Sequence, residues 1–232
     1  MKNFFQLTLS CCFFLASCQA QQPSASNISA ADFQKAIAKE GVQLLDVRTQ
    51  EEFNAGYIAN ALWADWNQQE QFKERVAALD KSKPLYVYCL SGGRSGNAQK
   101  WLMDNGFSQV INLNGGINAW RQANMPLAAE KLTTQMSLKE YLEQIPTDVT
   151  VLVDFGAKWC PPCKKMDPIL EELQKQHGDA FKLIKIDGGA QANLCKEMNV
   201  TAFPVFIVYK KGVGTWRAQG LQTVESLWER LK

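Results

Sequence analysis

The sequence predicts an α/β protein of two domains, each a sheet flanked by helices. Three observations predict it. Short apolar runs of strand length alternate with segments of helical period along most of the chain. That pattern lapses between Arg121 and Thr134 and then restarts, and each half carries its own cysteine motif, one on Cys89 and one on Cys160 and Cys163. The length of 232 residues suits two domains of the usual roughly 100 to 200 residues. Apolar content of 46% and charged content of 21% are ordinary for a globular protein, and a net charge of +2 gives no footprint for nucleic acid. Small molecules and proteins are the expected partners.

The N-terminal segment precedes the folded part. Lys2 supplies a positive start, and Phe4 to Ala16 is mostly apolar. That run falls well short of the roughly 20 residues a spanning helix needs, so it reads as a targeting segment. Leu15-Ala16-Ser17-Cys18 resembles a bacterial lipoprotein signal. The resemblance implies removal of residues 1–17, lipid modification of Cys18 and a membrane anchor held by several acyl chains. The alternative is a simple secretory signal cut near Ala20. Gln19 is not an acidic retention residue, which favours an outer-membrane location facing the periplasm of a bacterial envelope. Residues 18–27 are polar and aperiodic and read as a tether. Of seven cysteines, Cys89, Cys160, Cys163 and Cys195 then remain as usable thiols. In an oxidising compartment, structural disulfides are the alternative use for them.

The first domain is expected over residues 28–129. Ser29 and Asp32 resemble a capping box for a helix through Phe33 and Ile37 that Gly41 ends. A strand from Val42 to Val47 follows, then a helix start at Thr49 and Glu52 and an amphipathic helix on Phe72, Val76 and Leu79. Leu85 to Tyr88 is a buried-type strand running into Cys89, a helix runs from Ser95 to Asn105, a strand from Val110 to Leu113, and a short helix from Ile117 to Gln122. Alternation of this kind implies a mainly parallel sheet covered on both faces. The second domain is expected over residues 130–232. It reads as helix Ser137 to Gln144, strand Val149 to Phe155, helix Pro162 to Gln176, strand Phe181 to Ile186 and helix Gln191 to Met198. Strands Val205 to Tyr209 and Val213 to Arg217 and helix Val224 to Leu231 complete it.

Cys89 opens the loop Cys89-Leu90-Ser91-Gly92-Gly93-Arg94-Ser95 between a strand and a helix. Gly92 and Gly93 let amides converge, the helix start adds positive potential, and Arg94 offers a fork of donors. Such a setting lowers a thiol's pKa and recruits an anion to it. A phosphate-binding loop with an incidental cysteine has the same outline. The stretch from Ile28 to Ala128 resembles the rhodanese family. Leu45-Asp46-Val47-Arg48, Glu52-Phe53, Gly56-Tyr57-Ile58, the Cys89 loop and Leu113-Asn114-Gly115-Gly116-Ile117 through Trp120 stand in family order. The resemblance implies that Cys89 takes sulfane sulfur from a donor such as thiosulfate as a persulfide. Arg94 and the amides of Ser91, Gly92, Gly93 and Ser95 would bind the donor. Four residues between Cys89 and Arg94 match sulfur-transferring members, whereas related phosphatases and arsenate reductases use five. Tyr57-Ile58-Ala59-Asn60-Ala61 departs from the family's His-Ile-Pro-Gly-Ala, and Leu90 adds no charge, which favours apolar or protein-borne sulfur. Asp46 and Arg48 read as a buried structural pair.

Cys160 and Cys163 in Trp159-Cys160-Pro161-Pro162-Cys163 are spaced to close a disulfide at a helix start. The first thiol sits at the positive end of the helix and is the expected nucleophile, and the second, one turn in and shielded, the resolver. Zinc would need four ligands, and no second such pair exists; no metal and no cofactor is expected. From Thr134 to Lys232 the chain resembles thioredoxin, through Val151 to Cys160, Pro161-Pro162-Cys163-Lys164, Pro168 where that family's helix bends, and Phe203-Pro204 at its cis-proline. The resemblance implies a mixed central sheet and thiol-disulfide exchange, with Asp154 relaying a proton to or from Cys163. Trp159, Phe203 and Pro204 would meet the substrate, packing being the alternative for Trp159. Pro161-Pro162 replaces the Gly-Pro of thioredoxin and occurs in exported thioredoxin-like reductants, which favours a reducing role. Cys195 reads as a packing thiol. The expected whole is an envelope protein in which the dithiol reduces the Cys89 persulfide or a protein disulfide and an external reductant resets it. The alternatives are a rhodanese domain that acts independently or only as a recognition module, and a non-enzymatic scaffold.

Overall fold

The computed structural model describes residues 24–128 and 134–232. The expected signal, Cys18 and the boundary near Glu130 lie outside the described residues. Two α/β units are present, one with a wholly parallel sheet and one with a mixed sheet.

The first unit runs β1 (Ser24–Ile28), α1 (Ala30–Ile37), β2 (Gln43–Asp46), α2 (Gln50–Asn54), β3 (Leu62–Trp63), α3 (Gln69–Val76), β4 (Leu85–Tyr88), α4 (Gly93–Asp104), β5 (Gln109–Leu113) and α5 (Gly116–Gln122). Local chemistry starts the early helices: Ser29 accepts the Asp32 amide, and Thr49 with Glu52 forms a full capping box. The sheet order is β1-β5-β4-β2-β3. Residues 24–27, read as tether, are instead strand: Ser24 to Ile28 pair with Gln109 to Leu113 along the sheet edge. Their polar side chains carry no strand signal, because the pairing is made by backbone groups. The two-residue β3, which the sequence does not announce, pairs Leu62 with Leu45 and Trp63 with Asp46.

Strand alternation builds two cores. Leu44, Tyr86 and Tyr88 meet Phe33, Phe53 and Trp120 on one face, and Leu45, Val87 and Cys89 meet Phe72, Val76 and Leu102 on the other. Asp46 and Arg48 are the buried pair expected of them. Nε and Nη2 of Arg48 donate to the Asp46 carboxylate at 2.6–2.9 Å, and Nη2 also donates to the Gly56 carbonyl at 2.8 Å.

The second unit runs α6 (Leu138–Glu143), β6 (Thr150–Gly156), α7 (Pro161–His177), a 3-10 turn at Gly178–Ala180, β7 (Phe181–Asp187), α8 (Ala192–Glu197), β8 (Val205–Lys210), β9 (Val213–Gln219) and α9 (Val224–Leu231). Its sheet order is β7-β6-β8-β9, with β6 parallel to β7 and antiparallel to β8. α7 continues through Pro168. The two units meet where Trp159 packs against Phe53 and Trp63, so Trp159 and Cys160 join the apolar cluster of the first unit.

Candidate functional site

Cys89 stands just past the carboxyl end of β4, which lies between β5 and β2. In open parallel sheets this crevice is where ligands bind. The Sγ atom accepts the Gly92 N–H at 3.1 Å and the Ser95 hydroxyl at 3.3 Å. Gly92 holds φ of 102°, a left-handed conformation that folds its amide back over the sulfur. From below, the Ile117 and Asn118 amides hold the carbonyls of Cys89 and Leu90 at 2.8 and 3.1 Å. A Cβ on Gly116 would lie 2.5 Å from the Cys89 carbonyl oxygen, so glycine at this position serves the close approach. Gly93 has open space around it, and nothing in the packing demands glycine there. Burial pushes the Cys89 thiol up, but the Ser95 hydroxyl and the Ser95, Ser91 and Gly92 amides outweigh it, and the net direction is down.

Arg94 is held in an ion pair. Its Nη1 and Nη2 donate to both oxygens of Glu52 at 2.8 and 2.7 Å. Those bonds to Arg94, ahead of opposing burial, pull the Glu52 carboxyl down to about 2. The carboxylate offsets the positive charge that Arg94 presents to a donor anion and engages two of its five N–H groups. In the sequence Glu52 reads as a helix cap and as part of the Glu52-Phe53 segment, and the structure keeps the cap through its bond to the Thr49 amide.

In the second unit Cys160 caps α7, and Cys160 and Cys163 form a disulfide with Cα atoms 5.3 Å apart. The Cys163 amide points at the Cys160 sulfur at 3.2 Å. The expected order of exposure is reversed: Cys160 is 0% exposed, and Cys163 is the half-buried one. The reason is the first unit, which covers Trp159 and Cys160 together. The Phe203-Pro204 peptide is cis, and the Phe203 carbonyl lies 3.7 Å from Cys160 Sγ. The Phe203 ring meets Trp159 edge-on at 5.8 Å and fills the space over Gly188, where any Cβ would overlap it. Trp159 is therefore a packing residue here, 6% exposed.

Asp154 and Cys163 face one small space. A Cβ on Gly156 would stand 3.6 Å from Cys163 Sγ and 3.7 Å from Asp154 Oδ1. The adjoining cavity of about 240 Å³ is also lined by Lys158, Lys164, Asp167, Lys185 and Asp187. Burial, opposed more weakly by Lys185 and reinforced by Asp167, pushes the Asp154 carboxyl up to about 6, and its Oδ1 has no hydrogen-bond partner among the described residues. Lys185 is instead bonded to Asp167 at 3.2 Å. Asp167→Asn removes that negative charge and frees Lys185 for Asp154, which then stays ionised to lower pH. The acid limb of the rate of small-disulfide reduction is expected to move below its wild-type position near pH 6, as read from pH–rate profiles of the two proteins. Cys195 fits its packing role: burial, then Asp187, pushes its thiol up to about 11.

The predicted residues thus gather into two sites. Cys89 and Cys160 fall in different apolar clusters on opposite faces of the first sheet. Comparison with known proteins divides the chain in the same way. The Rhodanese-like domain family matches residues 29–123, and the Thioredoxin family matches residues 131–232. A sulfurtransferase of Allochromatium vinosum is 35% identical over 41% of this chain and 87% of its own length. A thioredoxin of Rickettsia felis is 34% identical over 43% of this chain and 91% of its own length. The chloroplastic thioredoxin Y of Oryza sativa subsp. japonica is 34% identical over 48% of this chain, which spans 65% of that relative's length.

Proposed function

We propose, for a chain that belongs to the rhodanese-like family through residues 29–123 and to the thioredoxin family through residues 131–232, that it takes up sulfane sulfur and reduces it with its own dithiol. The Cys89 thiolate attacks the outer sulfur of a donor, the donor's S–S bond breaks, and Cys89 becomes a persulfide. Reduced Cys160 attacks that sulfane sulfur and returns Cys89 as thiolate. Cys163 then attacks Cys160 Sγ and expels sulfide. The dithiol gives up two electrons, the sulfane sulfur takes both, and an external dithiol protein resets the disulfide. The observation that carries this reading is the pair of donors on Cys89 Sγ, the Gly92 amide and Ser95 hydroxyl, which stabilise either a thiolate or a persulfide anion.

Arg94 engaged by Glu52 and half-exposed Leu90 at the mouth favour a donor carried on a thiol, such as a low-molecular-weight or protein persulfide, over thiosulfate itself. Sulfide release by a pre-reduced chain tests the scheme, with Cys89→Ser stopping it before loading and Cys160→Ser after it.

The lipoprotein-type run ending in Cys18 supports an envelope protein anchored by acyl chains, on the periplasmic face of the outer membrane. Cys18→Ala is expected to move the chain from the membrane fraction to the soluble one, and a variant that stays in the membrane fraction overturns the anchor.

A further inference from the structure

The active-site loop of the second unit is covered. Trp159 and Cys160, 6% and 0% exposed, belong to one apolar cluster with Phe53 and Trp63. Three kinds of contact hold the loop. The N–H of Trp63, on the outermost strand β3, donates to the Trp159 carbonyl at 2.8 Å. The Trp159 indole meets Trp63 edge-on at 5.2 Å and Phe53 at 6.1 Å. Arg75 of α3 lays its guanidinium over Trp63 at 4.3 Å and over Trp159 at 5.2 Å, and its Nη1 donates to the Trp63 carbonyl at 3.1 Å. Burial draws this guanidinium down to about 10, the mark of a cation moved out of water onto aromatic faces.

We infer that Phe53, Trp63 and Arg75 form a docking surface for the Trp159-Cys160 loop, and that a protein substrate reaches Cys160 only by displacing it, although Cys163 stays open to the neighbouring cavity. A thiolate or disulfide must approach a sulfur directly to exchange with it, and the docked arrangement leaves Cys160 no open approach. The chemistry of the surface describes the competitor. It has to be an extended segment whose edge N–H takes over the Trp159 carbonyl, carrying an aromatic or arginine side chain for the indole. The same undocking is required before Cys160 can meet a persulfide on Cys89.

Thiol accessibility tests this with no sulfur donor present, so the result is independent of sulfur transfer. In the fully reduced chain, Arg75→Ala is expected to raise the alkylation rate of Cys160 about tenfold, a loss of roughly 1.4 kcal/mol from the docked state. Solution scattering of the unmodified chain should fit the docked arrangement, and its Trp63 amide should be protected from deuterium exchange. Equal alkylation of Cys160 in the two folded proteins, or wild-type scattering that requires separated units, overturns the proposal. Should Arg75→Ala fail to fold, the wild-type Trp63 amide decides: exchange at the rate of an open strand edge overturns docking, and protection supports it.

Discussion

Cys89→Ser is expected to abolish sulfur loading completely. A serine hydroxyl cannot form the S–S bond in which a persulfide stores its sulfur, and no other described thiol has the same surroundings. The Cys195 thiol is pushed up to about 11, whereas that of Cys89 is drawn down, and Cys160 and Cys163 are joined in a disulfide. After incubation of the disulfide form with a low-molecular-weight persulfide, the intact mass of the wild type should rise by one sulfur atom, and that of Cys89→Ser should not. Cys160→Ser separates the second half of the scheme. Its Cys89 should load normally and remain loaded, while sulfide release from the pre-reduced chain falls to the uncatalysed level. In wild type the yield should be one sulfide per chain, since one dithiol carries the two electrons needed. Sulfide release that Cys160→Ser leaves intact would mean that the two domains act independently. Loading that survives Cys89→Ser would sink the sulfurtransferase reading itself.

The second large effect is on stability. Arg48→Ala is expected to cost about 3–5 kcal/mol, the usual penalty for leaving one member of a buried pair without its partner. Asp46 and Arg48 are 0% and 1% exposed, and the guanidinium also satisfies the Gly56 carbonyl, so three acceptor atoms lose donors at once. Denaturant unfolding of the first unit would register the loss. Its pH dependence identifies the cause. Burial already pushes the Asp46 carboxyl up against the opposing bonds from Arg48. With Arg48 gone, only the Asp46–Arg48 opposition is removed, so the folded-state pKa rises further above its unfolded value. A group raised in this way favours the fold when protonated. The full penalty therefore applies at neutral pH and shrinks as pH falls through the raised value. A penalty constant with pH would locate the damage in lost packing instead. Asp46→Leu combined with Arg48→Met should recover most of the stability, because an apolar pair of similar bulk needs no partners in the interior.

The parts of the site that were legible in the sequence are those made by neighbours. The Cys89 loop places its sulfur, its glycine and its serine hydroxyl within seven residues, and Cys160 and Cys163 are one helical turn apart. Helix starts at Ser29, Thr49 and Ser137 were readable for the same reason, since each cap closes on a residue three positions on. Strand β1 was not readable: a polar edge segment held by backbone pairing leaves no pattern in its side chains. The Glu52–Arg94 pair joins residues 42 positions apart, and each alone resembles something simpler, a helix cap and an anion receptor.

By itself, then, the sequence determined that this chain has two α/β domains and two kinds of sulfur chemistry, because periodicity, caps and short motifs are local and survive without a fold. Only the tertiary structure decided which groups are available to act. It paired Arg94 with Glu52, bonded Lys185 to Asp167, and seated Trp159 against Trp63 and Arg75. Charge, exposure and access are properties of what lies opposite a side chain, and in each of these cases the opposing group comes from a different element of the fold.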